Sequence, residues 1–268
     1  MKKIDCHMHV NGAGRKWGWA DNDRVIDAAD RLGIAHLCCS IPVTRGLPEP
    51  EEIRVCNDGV VEAMKRYRGR ILGYCYVNPG HQRASLEEID RCMDRGMIGI
   101  KLYNQYLAWD PTLYPIYEKA IALKAPILWH AGHTLDRATA LAVGQPNISD
   151  GTDMARAARR YPEVMIIQGH IGGGGDWEWG IKAVKHAPNV YLDTSGSVVD
   201  DGMIDMAVRE IGVDRLLFGT DICWPGQETP IVGYFERLRD ERLISPGAYE
   251  KIAWRNADRL LGLGLAKA

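Results

Sequence analysis

The chain alternates short apolar runs with longer segments in which apolar residues recur every three or four positions. Eight apolar runs are rich in Ile, Val, Leu and Tyr and are bounded by Gly, Pro, Asn or Asp, which is typical of buried strands. These runs span 3–10, 34–41, 71–77, 98–103, 126–132, 164–173, 189–196 and 215–224. Helices are predicted over 23–32, 51–67, 84–95, 112–124, 152–160, 177–187, 201–211, 229–240 and 246–263.

This alternation of strands and helices predicts an α/β fold with a parallel sheet and right-handed crossovers. A doubly wound open sheet and a closed (β/α)₈ TIM barrel both satisfy the pattern. Eight strands, together with the absence of a Gly-rich dinucleotide fingerprint, favour the barrel. A length of 268 residues suits one such barrel, and we see no linker, repeat or low-complexity segment. We therefore expect a single domain over 1–268.

Composition narrows the classes of partner. The chain has 33 Lys and Arg residues and 35 Asp and Glu residues, so its net charge is −2. This charge lacks the basic excess that is typical of proteins that bind nucleic acid or an anionic membrane. The N-terminus MKKIDCHMHV lacks the apolar core of a signal peptide. Seven cysteines, an odd number without a CxxC pair, indicate a reducing, cytoplasmic setting. We expect a small-molecule substrate, and a homo-oligomer is the default for the class.

A His-x-His pair lies on the first predicted strand. The strand period of two places Asp5, His7 and His9 on one face, towards the barrel interior. Two imidazoles at i and i+2 can chelate one metal ion. For the pair in isolation, ordinary core or surface histidines are an equally good explanation.

Three further polar residues end predicted strands. His130 ends strand five, His170 ends strand six and Asp221 ends strand eight. In a barrel the carboxyl ends of the strands meet at one mouth, where catalytic groups lie. A buried aspartate needs a partner, and a metal bound by neutral imidazoles and a carboxylate supplies one. This donor set suits Zn²⁺ first, with Mn²⁺, Fe²⁺ or Ni²⁺ as alternatives.

A series of motifs along the whole chain carries a family resemblance. The motifs are IDCHMHV, GIKLY, ILWHAG, GHIGG, NVYLDTSG, LFGTDICWP and NADRLLGL, in that order. Together they resemble the amidohydrolase superfamily and, more narrowly, its amidohydrolase-2 branch. The resemblance implies a (β/α)₈ barrel, with His170 as a further ligand or an acid/base. It implies that four residues hold the metal, namely His7, His9, His130 and Asp221.

Other polar residues near strand ends are candidates for substrate binding. Lys101 ends strand four, where some superfamily members carry a carboxylated lysine that bridges two metals. We expect Lys101 instead to pair with a carboxylate or to orient substrate, so a mononuclear site is the default. His133 follows strand five and is a candidate substrate contact. Arg45, after strand two, is a candidate cation, as are Arg15 and Lys16, although solvated surface positions explain all three equally well.

The branch contains hydrolases, including lactonases, and non-oxidative decarboxylases, so two reactions compete. We favour hydrolysis of an amide, ester or lactone by a metal-activated water, with Asp221 as general base and His170 stabilising the oxyanion. The compact chain and its short loop after strand one support this choice. The alternative is decarboxylation of an aromatic or unsaturated acid, in which Asp221 or His170 protonates the carbon. A non-catalytic metal-binding barrel is the third hypothesis.

Tryptophan is over-represented, with eight residues against two phenylalanines. Six of them follow predicted strand ends: Trp17, Trp19, Trp109, Trp177, Trp179 and Trp224. We predict a Trp-lined cleft for a flat or partly apolar substrate, with loop packing as the alternative. Trp17, Trp19, Trp177 and Trp224 are the expected lining. The prediction requires Trp17, Trp19 and Trp177 to lie within about 12 Å of the metal, the scale of a pocket radius.

Overall fold

A computed structural model describes residues 2–12, 18–132, 137–171, 176–196, 199–223 and 230–265, with Arg137 and Pro230 described by backbone alone. Eight parallel strands follow one another in chain order around a single sheet. The strands are β1 (Lys3–His9), β2 (Ile34–Ser40), β3 (Ile71–Tyr76), β4 (Gly99–Leu102), β5 (Ile127–His130), β6 (Ile166–Gly169), β7 (Val190–Asp193) and β8 (Leu216–Leu217).

The sheet closes on itself between its first and last strands. The backbone N–H of Cys6 donates to the carbonyl of Phe218 at 2.9 Å, and that of Asp221 donates to the carbonyl of His7 at 2.7 Å. An open doubly wound sheet leaves its edge strands unpaired, whereas a barrel has no edges. The prediction of a (β/α)₈ barrel is confirmed.

Helices surround the barrel: α1 (Trp19–Arg31), α2 (Pro50–Arg66), α3 (Gln82–Asp94), α4 (Tyr114–Leu123), α5 (Arg137–Ala142), α6 (Gly151–Arg160), α7 (Trp177–Ala183), α8 (Met203–Ile211), α9 (Pro230–Asp240), α10 (Pro246–Glu250) and α11 (Asn256–Leu261). The sequence did not predict α5. The predicted helix over 246–263 is divided into α10, a π-helical turn at Lys251–Arg255 and α11. β8 has only two residues, and four residues beyond it the backbone at Asp221 is left-handed.

The apolar residues form two cores separated by the sheet. The outer core lies between strands and helices. The inner core fills the lower barrel, and α11 contributes Ala257 and Leu260 to it. Its members from the strands are Ile4, Cys6, Cys38, Tyr74, Leu128, Ile167 and Leu217. Above this apolar layer the barrel interior is polar, so the lower layer supports a polar mouth. The single-domain assignment over 1–268 stays a prediction.

A β-bulge interrupts β1 where it enters the polar layer. Between Asp5 and Met8 three steps along β1 oppose two along β2, so side-chain alternation is broken there. Asp5 pairs with Leu37 of the outer core, and its carboxylate accepts from the Thr220 hydroxyl at 2.6 Å. Burial raises the pKa of Asp5 to about 7. The prediction that Asp5 shares a face with His7 is therefore wrong, because the bulge adds one residue between them.

Two observations bear on the setting of the protein. All seven cysteines are free thiols, and six of them are buried. Among the described residues, no helix combines the length and the apolar character needed to span a bilayer. The cytoplasmic location stays a prediction.

Candidate metal centre

Four predicted site residues converge at the mouth of the barrel. His7, His170 and Asp221 each offer a ligand atom, and these three atoms lie within 4.8 Å of one another. His9 Nε2 lies 2.9 Å from Asp221 Oδ1, which joins it to the same carboxylate. The carboxyl ends of β1, β6 and β8 therefore bring together residues separated by more than 200 positions, as a barrel requires.

His130 is connected to this cluster through His170. Its Nδ1 lies 2.8 Å from His170 Nε2, and its ring stacks on Tyr103 with 4.0 Å between the ring centroids. His170 Nδ1 lies 3.7 Å from Asp221 Oδ2, so His170 faces the carboxylate directly. The assignment of His130 as a ligand and of His170 as an acid/base stays a prediction.

The backbone at His170 and at Asp221 is left-handed. Their φ angles are +68° and +56°, a conformation uncommon for residues other than glycine. Two hydrogen bonds hold it: His170 N–H donates to Asp193 Oδ1 at 3.1 Å, and Asp221 N–H donates to the His7 carbonyl at 2.7 Å. Strained backbone of this kind concentrates at functional sites. Here it turns both side chains back towards His7.

Asp193, at the end of β7, orients the cluster. Its Oδ2 lies 2.7 Å from His7 Nδ1, and its Oδ1 accepts from the backbone N–H groups of His170 and Ser195. A carboxylate behind a ligating histidine fixes the ring and its tautomer, leaving the other ring nitrogen for the metal. Sequence analysis missed this residue, although it ends a predicted strand just as His130 and His170 do.

Lys101 reaches the cluster from β4. Its Nζ lies 2.8 Å from His7 Nε2, and the side chain is fully buried. Burial lowers the pKa of Lys101 to about 8. Because His7 Nδ1 is directed at Asp193, its Nε2 is the nitrogen available to accept from Lys101. The ammonium thus stands beside the nitrogen that a metal would use.

Burial favours the neutral form of His7, His130 and His170, whereas neighbouring imidazoles favour the ionised form of Asp193 and Asp221. Burial lowers the pKa of His7, and that of His170 falls to about 4. Burial also lowers the pKa of His130 well below its ordinary value. Burial would raise the pKa of Asp193, but His7 lowers it to about 2. In the same way, His170 and His7 overcome burial and hold the pKa of Asp221 well below its usual range.

This charge pattern fits a divalent cation. The buried Asp193 and the part-exposed Asp221 face one ammonium, so the cluster has an excess of negative charge. Neutral imidazoles and an ionised carboxylate are the donors that Zn²⁺, Mn²⁺ and Fe²⁺ accept. A bound cation would compensate the buried charge, which otherwise is costly.

Two glycines make room for the His7 ring. A Cβ at Gly169 would lie 2.7 Å from the Trp129 carbonyl oxygen and 2.9 Å from His7 Cε1. A Cβ at Gly219 would lie 3.2 Å from His7 Cβ. Neither glycine was singled out from the sequence. Their role follows from close packing around the ring.

The predicted substrate-binding residues are only partly described. Trp17, His133 and Trp224 lie outside the described residues, as do Arg15 and Lys16. Trp19 is half-buried with Arg66 stacked over its ring, Trp177 donates to Asp200 at 2.7 Å, and Arg45 is exposed after β2. The Trp-lined cleft stays a prediction.

Known proteins resemble the chain over most of its length. The gamma-resorcylate decarboxylase of Polaromonas sp. strain JS666 is 27% identical, over 90% of this chain and 87% of the relative. A crystal structure of dihydroxybenzoic acid decarboxylase from Polaromonas sp. JS666, with bound manganese and the inhibitor 2-nitroresorcinol, has a TM-score of 0.76 at 22% identity, covering 99% of this chain and 98% of that one. A crystal structure of the 5-carboxyvanillate decarboxylase from Sphingomonas paucimobilis has a TM-score of 0.71 at 15% sequence identity. The match covers 97% of this chain and 99% of that one.

These relatives overturn the preference for hydrolysis. Each is named for decarboxylation, which was the alternative. The prediction of hydrolysis is wrong because it rested on chain length and on the short loop after β1. Neither feature identifies the reaction, and the His and Asp donors are common to both reactions.

The family itself follows from the match of the whole chain. The amidohydrolase-2 family model, described as amidohydrolase, matches residues 4–263. That span includes every strand apart from Lys3 at the start of β1, and it includes the entire His and Asp cluster. The chain is an enzyme of the amidohydrolase superfamily and belongs to its amidohydrolase-2 branch.

Proposed function

We propose that the protein is a metal-dependent, non-oxidative decarboxylase of an aromatic carboxylic acid. The observation that carries this proposal is the similarity to a gamma-resorcylate decarboxylase over 90% of the chain. The buried cluster supports it, because an anionic substrate needs cations at the mouth and the carbon needs a proton donor. The overall change exchanges a carboxylate for a proton: the C–C bond breaks, its electron pair stays on the carbon, and CO₂ leaves.

A divalent metal held by His7, His9, Asp221 and a histidine of the His130–His170 pair would act as a Lewis acid for the substrate carboxylate and a neighbouring oxygen. The predicted Zn²⁺ and the Mn²⁺ named for a decarboxylase of the same fold both suit these donors. Demetallation should therefore abolish turnover.

Lys101 supplies a second positive charge for the substrate carboxylate. Its Nζ contacts His7 Nε2 at 2.8 Å, at the bottom of the polar layer. With a pKa of about 8, the amine is mostly protonated at neutral pH. We infer that the ammonium leaves His7 Nε2 when the metal binds that nitrogen, and turns to the substrate carboxylate, which orients the acid with its carboxylate downwards.

His170 is suited to delivering the proton. Its Nδ1 lies 3.0 Å from the Ser195 hydroxyl, and its Nε2 lies 2.8 Å from His130 Nδ1. A pKa of about 4 makes the protonated imidazole a strong acid, which a weakly basic ring carbon requires. Because of this low pKa, only a small fraction of His170 is protonated at neutral pH. Asp221 is the other candidate donor, and its lower pKa makes protonation rarer.

An isotope experiment tests the reaction. Metal-loaded enzyme is incubated in D₂O with 2,6-dihydroxybenzoate, 5-carboxyvanillate, a lactone and an aryl ester, and products are analysed by mass spectrometry and NMR. We expect CO₂ and one deuterium at the carbon that carried the carboxylate, with no turnover after chelation. Turnover of the ester or lactone with both aromatic acids untouched would refute the proposal, as would full activity without metal.

A further inference from the structure

Cys223 stands apart from the other cysteines. It lies two residues beyond Asp221 in the segment after β8, and it is part-exposed, whereas the other six are buried. Its Sγ lies 3.4 Å from the Asp221 carbonyl oxygen, which holds the side chain on the site side of this segment. The thiol therefore lies at the barrel mouth, on a part-exposed residue.

Cys223 completes a second triangle of potential metal donors. Ligand atoms of His9, Asp221 and Cys223 lie within 4.8 Å of one another. Asp221 also belongs to the triangle with His7 and His170, so its carboxylate joins the two. One ion beside Asp221 can thus meet nitrogen, oxygen and sulfur donors from both triangles.

His9 is oriented for this geometry. Its Nδ1 lies 3.2 Å from the Ser40 carbonyl oxygen, to which it can donate a hydrogen bond. In the tautomer with Nδ1 as the donor, Nε2 is the nitrogen available to a metal, and it lies 2.9 Å from Asp221 Oδ1. A hydrogen bond to the other ring nitrogen fixes the orientation of a ligating imidazole in this way.

We propose that Cys223 is a sulfur donor of the metal centre and biases it towards thiophilic divalent metals. The inference rests on the metal centre of the proposed function. When the metal–sulfur bond forms, the thiol proton passes to solvent and the ion gains a thiolate ligand. Thiolate favours Zn²⁺, Co²⁺ and Cd²⁺, whereas Mn²⁺ prefers oxygen donors and imidazole. The centre of this chain should therefore differ in metal preference from one without the sulfur.

Cobalt spectroscopy tests the proposal without using activity. Stoichiometric Co²⁺ bound to the whole chain should give a sulfur-to-cobalt charge-transfer band in the near ultraviolet beside the visible ligand-field bands. Cys223→Ser should lose the near-ultraviolet band and keep the ligand-field bands. Cys56→Ser, a buried cysteine on α2, is the matched control and should keep both.

Competition between metals gives a second measurement. The ratio of Cd²⁺ to Mn²⁺ affinity should fall at least about tenfold in Cys223→Ser, the low end of effects seen when a metal site is altered. Bound Co²⁺ without a near-ultraviolet band, or an unchanged ratio in the variant, overturns the sulfur donor and leaves the decarboxylase proposal intact. A band in protein that decarboxylates no aromatic acid supports the donor and contradicts the proposed reaction. Absence of any Co²⁺ binding overturns both.

Discussion

The lower and upper halves of the barrel interior are built on the same strands and have opposite compositions. On β5 the inward residues are Leu128 below and His130 above. On β1 the bulge sends Cys6 into the lower layer and His7 into the upper. A few ångströms along each strand thus separate apolar packing from a cluster of ionisable groups.

This difference indicates that the lower layer mainly stabilises the fold and that the upper layer carries the chemistry. The lower layer buries apolar surface, which stabilises the barrel without directional requirements. The upper layer buries imidazoles, carboxylates and an ammonium, each of which needs a partner to offset desolvation. Substitutions in the lower layer should affect unfolding, and substitutions in the upper layer should affect metal binding and turnover.

The largest expected effect comes from Asp221→Asn. The variant removes the charge shared by both donor triangles, so turnover should fall at least about a thousandfold, since metal assistance is worth several kcal/mol. Steady-state kinetics and metal analysis measure this. Thermal unfolding should shift little, and a variant that keeps a tenth of the activity would show that Asp221 is outside the catalytic machinery.

Leu128→Ala tests the other layer. Removing a fully buried leucine side chain should lower the free energy of unfolding by about 2–5 kcal/mol. Leu123→Ala on α4, where the side chain is 40% exposed, is the control and should change it by less than about 1 kcal/mol. Denaturant titration gives both values. Turnover per folded molecule should be unchanged in Leu128→Ala. A loss of turnover without a loss of stability would contradict the assignment of the lower layer to stability alone.

Asp193→Asn has a smaller effect on the upper layer. The amide keeps the shape but weakens the hold on His7 Nδ1, so metal affinity should fall about 10–100-fold. Competition with a chelator of known affinity measures it. Asp240→Asn, on the exposed end of α9, is the control. Equal affinities in the two variants would mean that Asp193 does not orient the ligand.

The smallest effect tests a buried carboxylate outside the barrel. Burial would raise the pKa of Glu88, but hydrogen bonds from Arg91 and Asn57 hold it below its ordinary value. Stability from this ionised group is present above the ordinary glutamate pKa and is lost as pH falls through the lowered pKa. Glu88→Gln should remove on the order of 1 kcal/mol at neutral pH and flatten the decline in acid. Unfolding at several pH values checks this. A parallel decline in both proteins would exclude Glu88 as its source.

Much of the barrel and part of its centre could be predicted from sequence. The eight strands were visible because buried parallel strands are continuous apolar runs. His7, His9, His170 and Asp221 could be found because strand ends meet at one mouth. The bulge in β1 could not, since one extra residue leaves the apolar pattern unchanged while moving Asp5 off the site face. Gly169 was equally hidden, because its role depends on a ring supplied by β1.

The choice between reactions was beyond the sequence for a different reason. Hydrolysis and decarboxylation both need a Lewis acid and a proton carrier, and the donors at the strand ends serve either. What separates them is the fit of substrate in the mouth, which depends on loops. Asp193 could have been predicted by applying the strand-end rule to β7 as well.

The left-handed backbone at His170 and Asp221 leaves an evolutionary signature. In both positions glycine would relieve conformational strain, so selection for stability and selection for activity favour different residues there. Without selection for the reaction, glycine at either position would no longer be disfavoured. Glycine at position 170 or 221 in a descendant of this protein should therefore indicate that the barrel has been kept while its catalytic activity has been lost.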